Sequence, residues 1–203
     1  MKNEIKIISF YLPQFHVIPE NDEWWGKGFT DWNNVRKGFV YLKGQEQPRV
    51  PLNDNYYDLT DIDTLRWQAD LMAKYNVYGQ CFYHYWFDGK LLLEKPSELL
   101  LENKDISIRF CFSWANEPWA RTWDGKNHCV LMPQKYGGKK DWRKHFDYLL
   151  PFFKDERYIK ENDCPMFIIY KSSSIEDCGD MMENWNQLAV KHGFKGIHFV
   201  QTL

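Results

Sequence analysis

SIRFCFSWANE, residues 107–117, is the stretch on which the reading of the fold turns. Along it Arg109, Cys111, Ser113, Ala115 and Glu117 alternate with Ile108, Phe110, Phe112, Trp114 and Asn116, the two-residue period of a strand whose successive side chains point to opposite faces. The second set is large and apolar up to Trp114, suited to a covering layer of helices. The first narrows to Ser113 and Ala115, which fit the interior of a small barrel, and then ends in an acid, Glu117.

Reading outward from this strand, other apolar runs of strand length alternate with segments of helical period. IKIISFYL (5–12) and YGQCFYHYWF (78–87) precede it, and CPMFIIYK (164–171) and GIHFVQTL (196–203) follow. Between the first two, a long loop from Pro13 to about Leu59 gives way to Ile62, Leu65, Ala69, Met72 and Ala73, a 3.6-residue period with Thr60 and Asp63 as cap and partner. A helix around 96–103 has Pro96 in its first turn. Trp142, Phe146, Leu149, Leu150 and Phe153 mark another helix after Gly137-Gly138, and one capped by Ser174 carries Met181, Met182, Trp185, Leu188 and Ala189 until Gly193. Five strands alternating with four helices predict an α/β fold with a parallel sheet and right-handed crossovers. Either a (β/α)-barrel or a doubly wound sheet fits that order, but no G-x-G-x-x-G or phosphate-binding loop follows any strand, and polar residues cluster after three different strands. The reading is a (β/α)8-barrel, TIM-barrel-like, present here as one domain over residues 1–203 with about five parallel strands. A complete barrel takes eight strands and typically about 250 residues, so the chain is expected to be its truncated front part.

Composition excludes several function classes. The net charge is −2 with acids and bases interspersed, which offers no basic face to a nucleic acid. The N-terminal apolar run is short, follows Glu4 and has no small-residue cleavage site, and no apolar run reaches membrane-spanning length, so a cytoplasmic location is expected. Cys81, Cys111, Cys129, Cys164 and Cys178 are odd in number, widely spaced and lack a C-x-x-C pair, which signals neither a disulfide framework nor a metal site. Aromatic content is the anomaly, at 18% with ten tryptophans, several in segments rich in Gly, Asn and Asp that cannot be core. Indole faces suit the C–H faces of pyranose rings, and also protein interfaces.

The strand ends carry the candidates. After the first strand, PENDEWWGKGFTDWNNV brings Trp24, Trp25, Asp31, Trp32 and Asn33 together, as a sugar platform or as an Ω-loop packed on itself. The second ends in CFYHYWFDGK, where His84, Tyr85 and Trp86 stand as candidates beside the ordinary alternative of a structural histidine. The third ends in Asn116-Glu117-Pro118-Trp119, followed by Arg121, Trp123 and Asp124. A carboxyl group held against indoles is desolvated and can donate a proton near neutrality, as glycoside cleavage requires, with a second carboxylate about 5–5.5 Å away for retention and further for inversion. The competing structural reading is a surface salt bridge between Glu117 and Arg121. Tyr170, Lys171, His198 and Gln201 end the later strands, and KDERYIKEND (154–163) reads as a solvated helix end and turn.

FYLPQFH with PENDEWWGKGFT, the QPR and YYDL run (47–59), YHYWF, the CFSWANE stretch and LLPFFKDERYIK together resemble the WbsX-type glycosyltransferase family, also called glycoside hydrolase family 99-like, of bacterial surface-polysaccharide clusters. The resemblance covers nearly the whole chain. It implies a (β/α)8-barrel similar to that of endo-α-mannosidases, action on glycans without a metal or other cofactor, and a length well beyond 203 residues, so that a carboxylate from a later strand would lie outside this chain. The resulting expectation is an enzyme that cleaves or transfers glycosidic linkages of an oligo- or polysaccharide such as O-antigen or capsule. In it Glu117 is general acid/base, Asn116 and His84 orient hydroxyls, and Trp24, Trp25, Trp32, Trp119 and Trp123 line sugar subsites. The alternatives are a nucleotide-sugar-dependent transferase, a non-catalytic carbohydrate-binding domain and an aromatic protein-interaction surface.

Overall fold

In the computed structural model, which describes residues 5–46, 50–121 and 126–202, the chain runs β1 (Ile8–Tyr11), α1 (Pro19–Trp25), α2 (Asp31–Arg36), α3 (Ile62–Lys74), β2 (Gly79–Phe87), β3 (Lys90–Leu92), α4 (Lys95–Glu102), β4 (Arg109–Trp114), β5 (Trp119–Arg121), β6 (Lys126–Met132), α5 (Lys139–Lys154), β7 (Lys160–Glu161), β8 (Cys164–Ile169), α6 (Cys178–Lys191) and β9 (His198–Gln201). The parallel strands lie in the order β1-β2-β4-β8-β9, each beside its predecessor. A helix intervenes between every consecutive pair, and the progression never reverses, which is the winding of a (β/α)-barrel rather than of a doubly wound sheet. Among the described residues the sheet is an open arc of five parallel strands, with β1 and β9 as its edges. The short strands β3 and β7 add antiparallel to β2 and β8, and β5 and β6 form a separate hairpin.

The alternation read in β4 holds in the packing. Phe112 meets Phe152 of α5 at 5.0 Å between ring centroids, Trp114 meets His145 of α5 at 4.8 Å, and Phe167 on β8 meets Trp185 of α6 at 5.0 Å. These rings, with Phe110, Phe146 and Phe153, form the core between sheet and helices. At the foot of the sheet, Gly79 lies so near the Arg109 carbonyl that a β-carbon there would fall 2.7 Å from the oxygen, so a larger residue would push β2 from β4.

The long loop from Pro13 to Leu59 is less irregular than its composition suggested, since α1 and α2 lie within it. Pro19 sits in the first turn of α1, and Thr30 with Asn33 makes a capping box for α2. Two caps move: Asp61, not Thr60, caps α3 by accepting from the Asp63 N–H at 3.0 Å, and α6 begins after Asp177, while Ser174 closes a 3-10 turn. The charged run 154–163 is solvated only in part: Lys154, Glu156 and residues 161–163 are exposed, but Asp155 is buried and Arg157 half-buried, and the Arg157 guanidinium donates to the carbonyls of Leu100, Asn103 and Ile106 as well as to the Asp155 carboxylate.

Candidate functional site

Beyond the C-terminal ends of β1, β2 and β4 lies a cleft of about 580 Å³. Each bordering segment contributes for a local reason. Gln14 lies three residues beyond the end of β1. The helices α1 and α2, turned by Gly26 at φ 103°, bring Trp25, Asp31, Asn34 and Lys37 to one side. Tyr85 rises from β2, and the β5–β6 hairpin supplies Trp119 and Arg121 as the opposite wall, with Glu117 at its root. The walls are tied by aromatic contacts: Trp119 meets Tyr85 at 5.0 Å, Phe87 at 5.9 Å and Trp24 at 5.8 Å, all edge to face. The Arg121 guanidinium lies over the Trp25 ring at 5.1 Å, joining hairpin to helix.

Two carboxylates line this cleft and their environments differ. Glu117 is not fenced off from water by indoles: its side chain is 44% exposed and forms an ion pair of 2.8 Å with Lys171, from the end of β8. The sequence reading that set a salt bridge against desolvation was right in kind and named Arg121 in place of Lys171. The pairing holds the Lys171 ammonium above its ordinary value, through its hydrogen bond to Glu117 and then the Glu117 charge. Asp31 is the more buried acid. Burial raises its carboxyl above the usual range, a rise partly offset by hydrogen bonds from the Gln14 side chain and from its own backbone N–H.

The structure brings Trp24, Trp25, Asp31, Tyr85, Glu117, Trp119 and Arg121 to the cleft or its wall. It sends five other candidates elsewhere. His84 faces the helix layer, where its Nε2 lies 2.8 Å from Nε2 of His145, one ring donating and the other accepting. Trp86 stacks on His145 there, with centroids 4.5 Å apart and planes within 4°. Burial pushes the His84 imidazole down to about 3 and holds His145 well below its ordinary value, helped by His84. The two-residue period of β2 sets His84 and Trp86 on the face opposite Tyr85, and with that face covered by α5 they cannot reach the cleft. Trp32 packs against Phe15 and Tyr57 and donates its indole N–H to the Tyr57 carbonyl at 2.8 Å, as the self-packed loop reading expected. Asn33 is spent on the α2 cap, accepting from the Thr30 N–H at 3.0 Å.

Asn116 is fully buried and clasps the Lys171 backbone, donating to its carbonyl and accepting from its N–H, both at 2.8 Å. It therefore fixes the end of β4 to that of β8 and sets the Glu117–Lys171 pair in place, instead of meeting substrate. Trp123 and Asp124 lie outside the described residues. Gln14, Asn34 and Lys37 were not singled out from sequence; of these Gln14 alone had a signal, as the residue three beyond the end of a strand. Among the described residues no group of three or more His, Cys, Asp or Glu could hold a metal ion, and no helix is long and apolar enough to cross a membrane.

The family described as Glycosyltransferase WbsX matches residues 7–203. The WxcX proteins of two strains of Xanthomonas campestris pv. campestris are each 38% identical over 192 residues, covering 95% of this chain and 28% of theirs. Among solved structures, the GH99 endo-alpha-mannosidase from Bacteroides thetaiotaomicron aligns with a TM-score of 0.54 at 16% identity, over 97% of this chain and 55% of that one. The GH99 endo-alpha-mannosidase in complex with bis-tris-propane gives 0.59 at 16% identity, over 97% and 52%. At that identity the likeness is one of fold, and it agrees with the strand order. The chain spans well under a third of these curated relatives and about half of these solved chains.

Proposed function

The chain belongs to the WbsX glycosyltransferase family, and from that premise we propose that it forms part of an enzyme that cleaves or transfers glycosidic linkages in bacterial surface-polysaccharide metabolism, on an O-antigen or capsular glycan and in the cytoplasm. The observation that carries the reading is that Trp25, Tyr85 and Trp119 share one cleft with the carboxylates of Asp31 and Glu117, where parallel strands finish. Rings with a polar edge suit a sugar, which offers a C–H face and a hydroxyl rim together.

In this reading Glu117 and Asp31 divide the acid–base work. Ion-paired with Lys171, it enters the reaction as a carboxylate and takes a proton from the attacking hydroxyl. Asp31, whose burial favours the protonated form, gives a proton to the departing sugar oxygen. Roles divided in this way match the opposite environments of the two acids.

The experiment is turnover of a purified O-antigen by the full-length protein without any nucleotide sugar. Product release supports cleavage or transfer between glycans, whereas product formed only when an activated donor is added supports the donor-dependent transferase that the family description favours. Glu117→Gln should bind the glycan normally and lose at least about a hundredfold in turnover. If that variant turns over at the wild-type rate, the assignment of Glu117 is wrong. If the wild type binds the glycan and turns nothing over in either assay, the site is a binding module.

A further inference from the structure

Cys81 on β2 and Cys111 on β4 face each other directly, as partners in the register of adjacent parallel strands. Alternation puts both on the face turned away from α5, because Phe82 and Phe112 occupy the other. Neighbouring strands stand about 4.8 Å apart, inside the span of about 4.4–6.8 Å between the α-carbons of disulfide-bonded cysteines. The strands already run close at this level, since two residues nearer the foot Gly79 has no room for a β-carbon against Arg109. Both thiols are free and almost fully buried, 2% and 0% exposed. With β1 flanking β2 and β8 flanking β4, the pair lies away from either edge of the arc. A hydrogen bond to Cys111, and then burial, push the Cys81 thiol well above its ordinary value.

We propose that Cys81 and Cys111 form an oxidative modification site, a dithiol that an oxidant of the peroxide class closes into a disulfide between β2 and β4. Two thiols in contact could instead share a soft metal ion, but that would bury two thiolate charges in a dry interior, whereas a disulfide is neutral. The chemistry runs in two stages. One sulfur, as thiolate, attacks a peroxide oxygen and the O–O bond breaks; the departing hydroxide takes up the thiol proton as water, and a sulfenic acid is left. The second thiol attacks the sulfenic sulfur, the S–O bond breaks, and the hydroxyl leaves with that thiol's proton as a second water. Each sulfur gives up one electron and the peroxide gains two. Because the thiolate is the nucleophile and is suppressed here, the first stage is slow. The second is fast, since the resolving thiol is already in contact. The pair therefore registers sustained exposure to oxidant rather than a brief pulse. None of this depends on the sugar chemistry proposed above.

Peptide mapping of the full-length protein tests this. Folded protein is held in hydrogen peroxide, its remaining thiols are alkylated in denaturant, and it is digested with trypsin without reductant. Peptides 75–90, with Cys81, and 110–121, with Cys111, should be recovered joined, two hydrogens lighter than their sum, and should separate on treatment with dithiothreitol. The joined pair should make up most of the disulfide recovered from folded protein and only a minor share of that formed in urea, where every cysteine competes. Cys129→Ser, which removes an exposed thiol, should leave the link unchanged. If Cys81 and Cys111 are both recovered alkylated, or if either is found only as a sulfinic acid or joined to another cysteine, the proposal is overturned and the two thiols are core packing.

Discussion

Two ion pairs stand at opposite ends of the same sheet. At the foot of β4, Asp155 and Arg157 are nearly sealed from water, with side chains 2% and 13% exposed, and all five guanidinium N–H groups are used: three on backbone carbonyls and two on the carboxylate. At the head, Glu117 and Lys171 form a single contact with about half of each side chain in solvent. The first pair is a joint between α4, the turn before β4 and the segment after α5, closed on every side. The second has unused hydrogen-bonding capacity facing a cleft. In barrels of this winding the foot of the sheet serves stability and the head serves chemistry, and the two pairs differ in the direction that this division predicts.

The largest expected effect comes from breaking the closed pair. Arg157→Met leaves the Asp155 carboxylate with Lys104 and the backbone N–H of residue 157, and removes a donor from three backbone carbonyls, so it should cost about 3–5 kcal/mol in urea unfolding. Arg157→Lys should recover little, because an ammonium cannot reproduce the fork. A loss below about 1 kcal/mol would mean that the network is ornamental. The same joint has an acid signature. Burial raises the Asp155 carboxyl, but the Arg157 and Lys104 hydrogen bonds outweigh it and hold the group well below the ordinary carboxylate value. Its stabilisation is therefore complete above the unfolded value of about 3.9 and is lost as pH falls below that.

A middle-sized effect belongs to the buried histidine pair, which lies between the two ends. Both imidazoles are held neutral, so folding excludes protons that the unfolded chain takes up below about pH 6.5. Stability should be flat above that pH and fall as pH drops from there toward the folded His84 value of about 3. Between about pH 6.5 and 5 the loss should be roughly 2 kcal/mol for each histidine. Unfolding curves of the wild type and His84→Gln across that window would check it, with about half the pH dependence expected in the variant. Equal slopes would show that the pair is hydrated and outside the core.

How much of this was legible follows from sequence separation. The parallel strands, their order and the faces of β4 could be read because a strand declares itself within a few residues, and Phe112, Ser113 and Trp114 do so by alternation alone. The cleft was half legible: Trp25, Asp31, Tyr85, Glu117, Trp119 and Arg121 stand where strand ends and glycine turns put them. The partners were not. His84 finds His145 across 61 positions and Glu117 finds Lys171 across 54, and Arg157 takes carbonyls 51 to 57 positions back. No local period encodes such pairings, so a desolvated glutamate, a catalytic histidine and a solvated turn were natural readings of residues whose environments are made by distant chain. The short helices α1 and α2 were hidden for a different reason, since six or seven residues with mixed polarity show too little period; Pro19 and the Thr30-Asn33 pair were their only marks.

The smallest expected effect on stability is the most informative about function. Lys171→Met and Glu117→Gln each remove one partner of a pair that water already solvates, so neither should move the urea midpoint measurably, in contrast to Arg157→Met. The Asn116 clasp does not depend on either side chain, because it grips the Lys171 backbone, and the ends of β4 and β8 should stay joined in both variants. If the open pair serves chemistry, turnover on a glycan should collapse in Glu117→Gln and fall in Lys171→Met mainly through kcat, with Lys171→Arg restoring most of it. A midpoint shift in Glu117→Gln as large as that in Arg157→Met would erase the contrast, since the head of the sheet would then be a second structural joint.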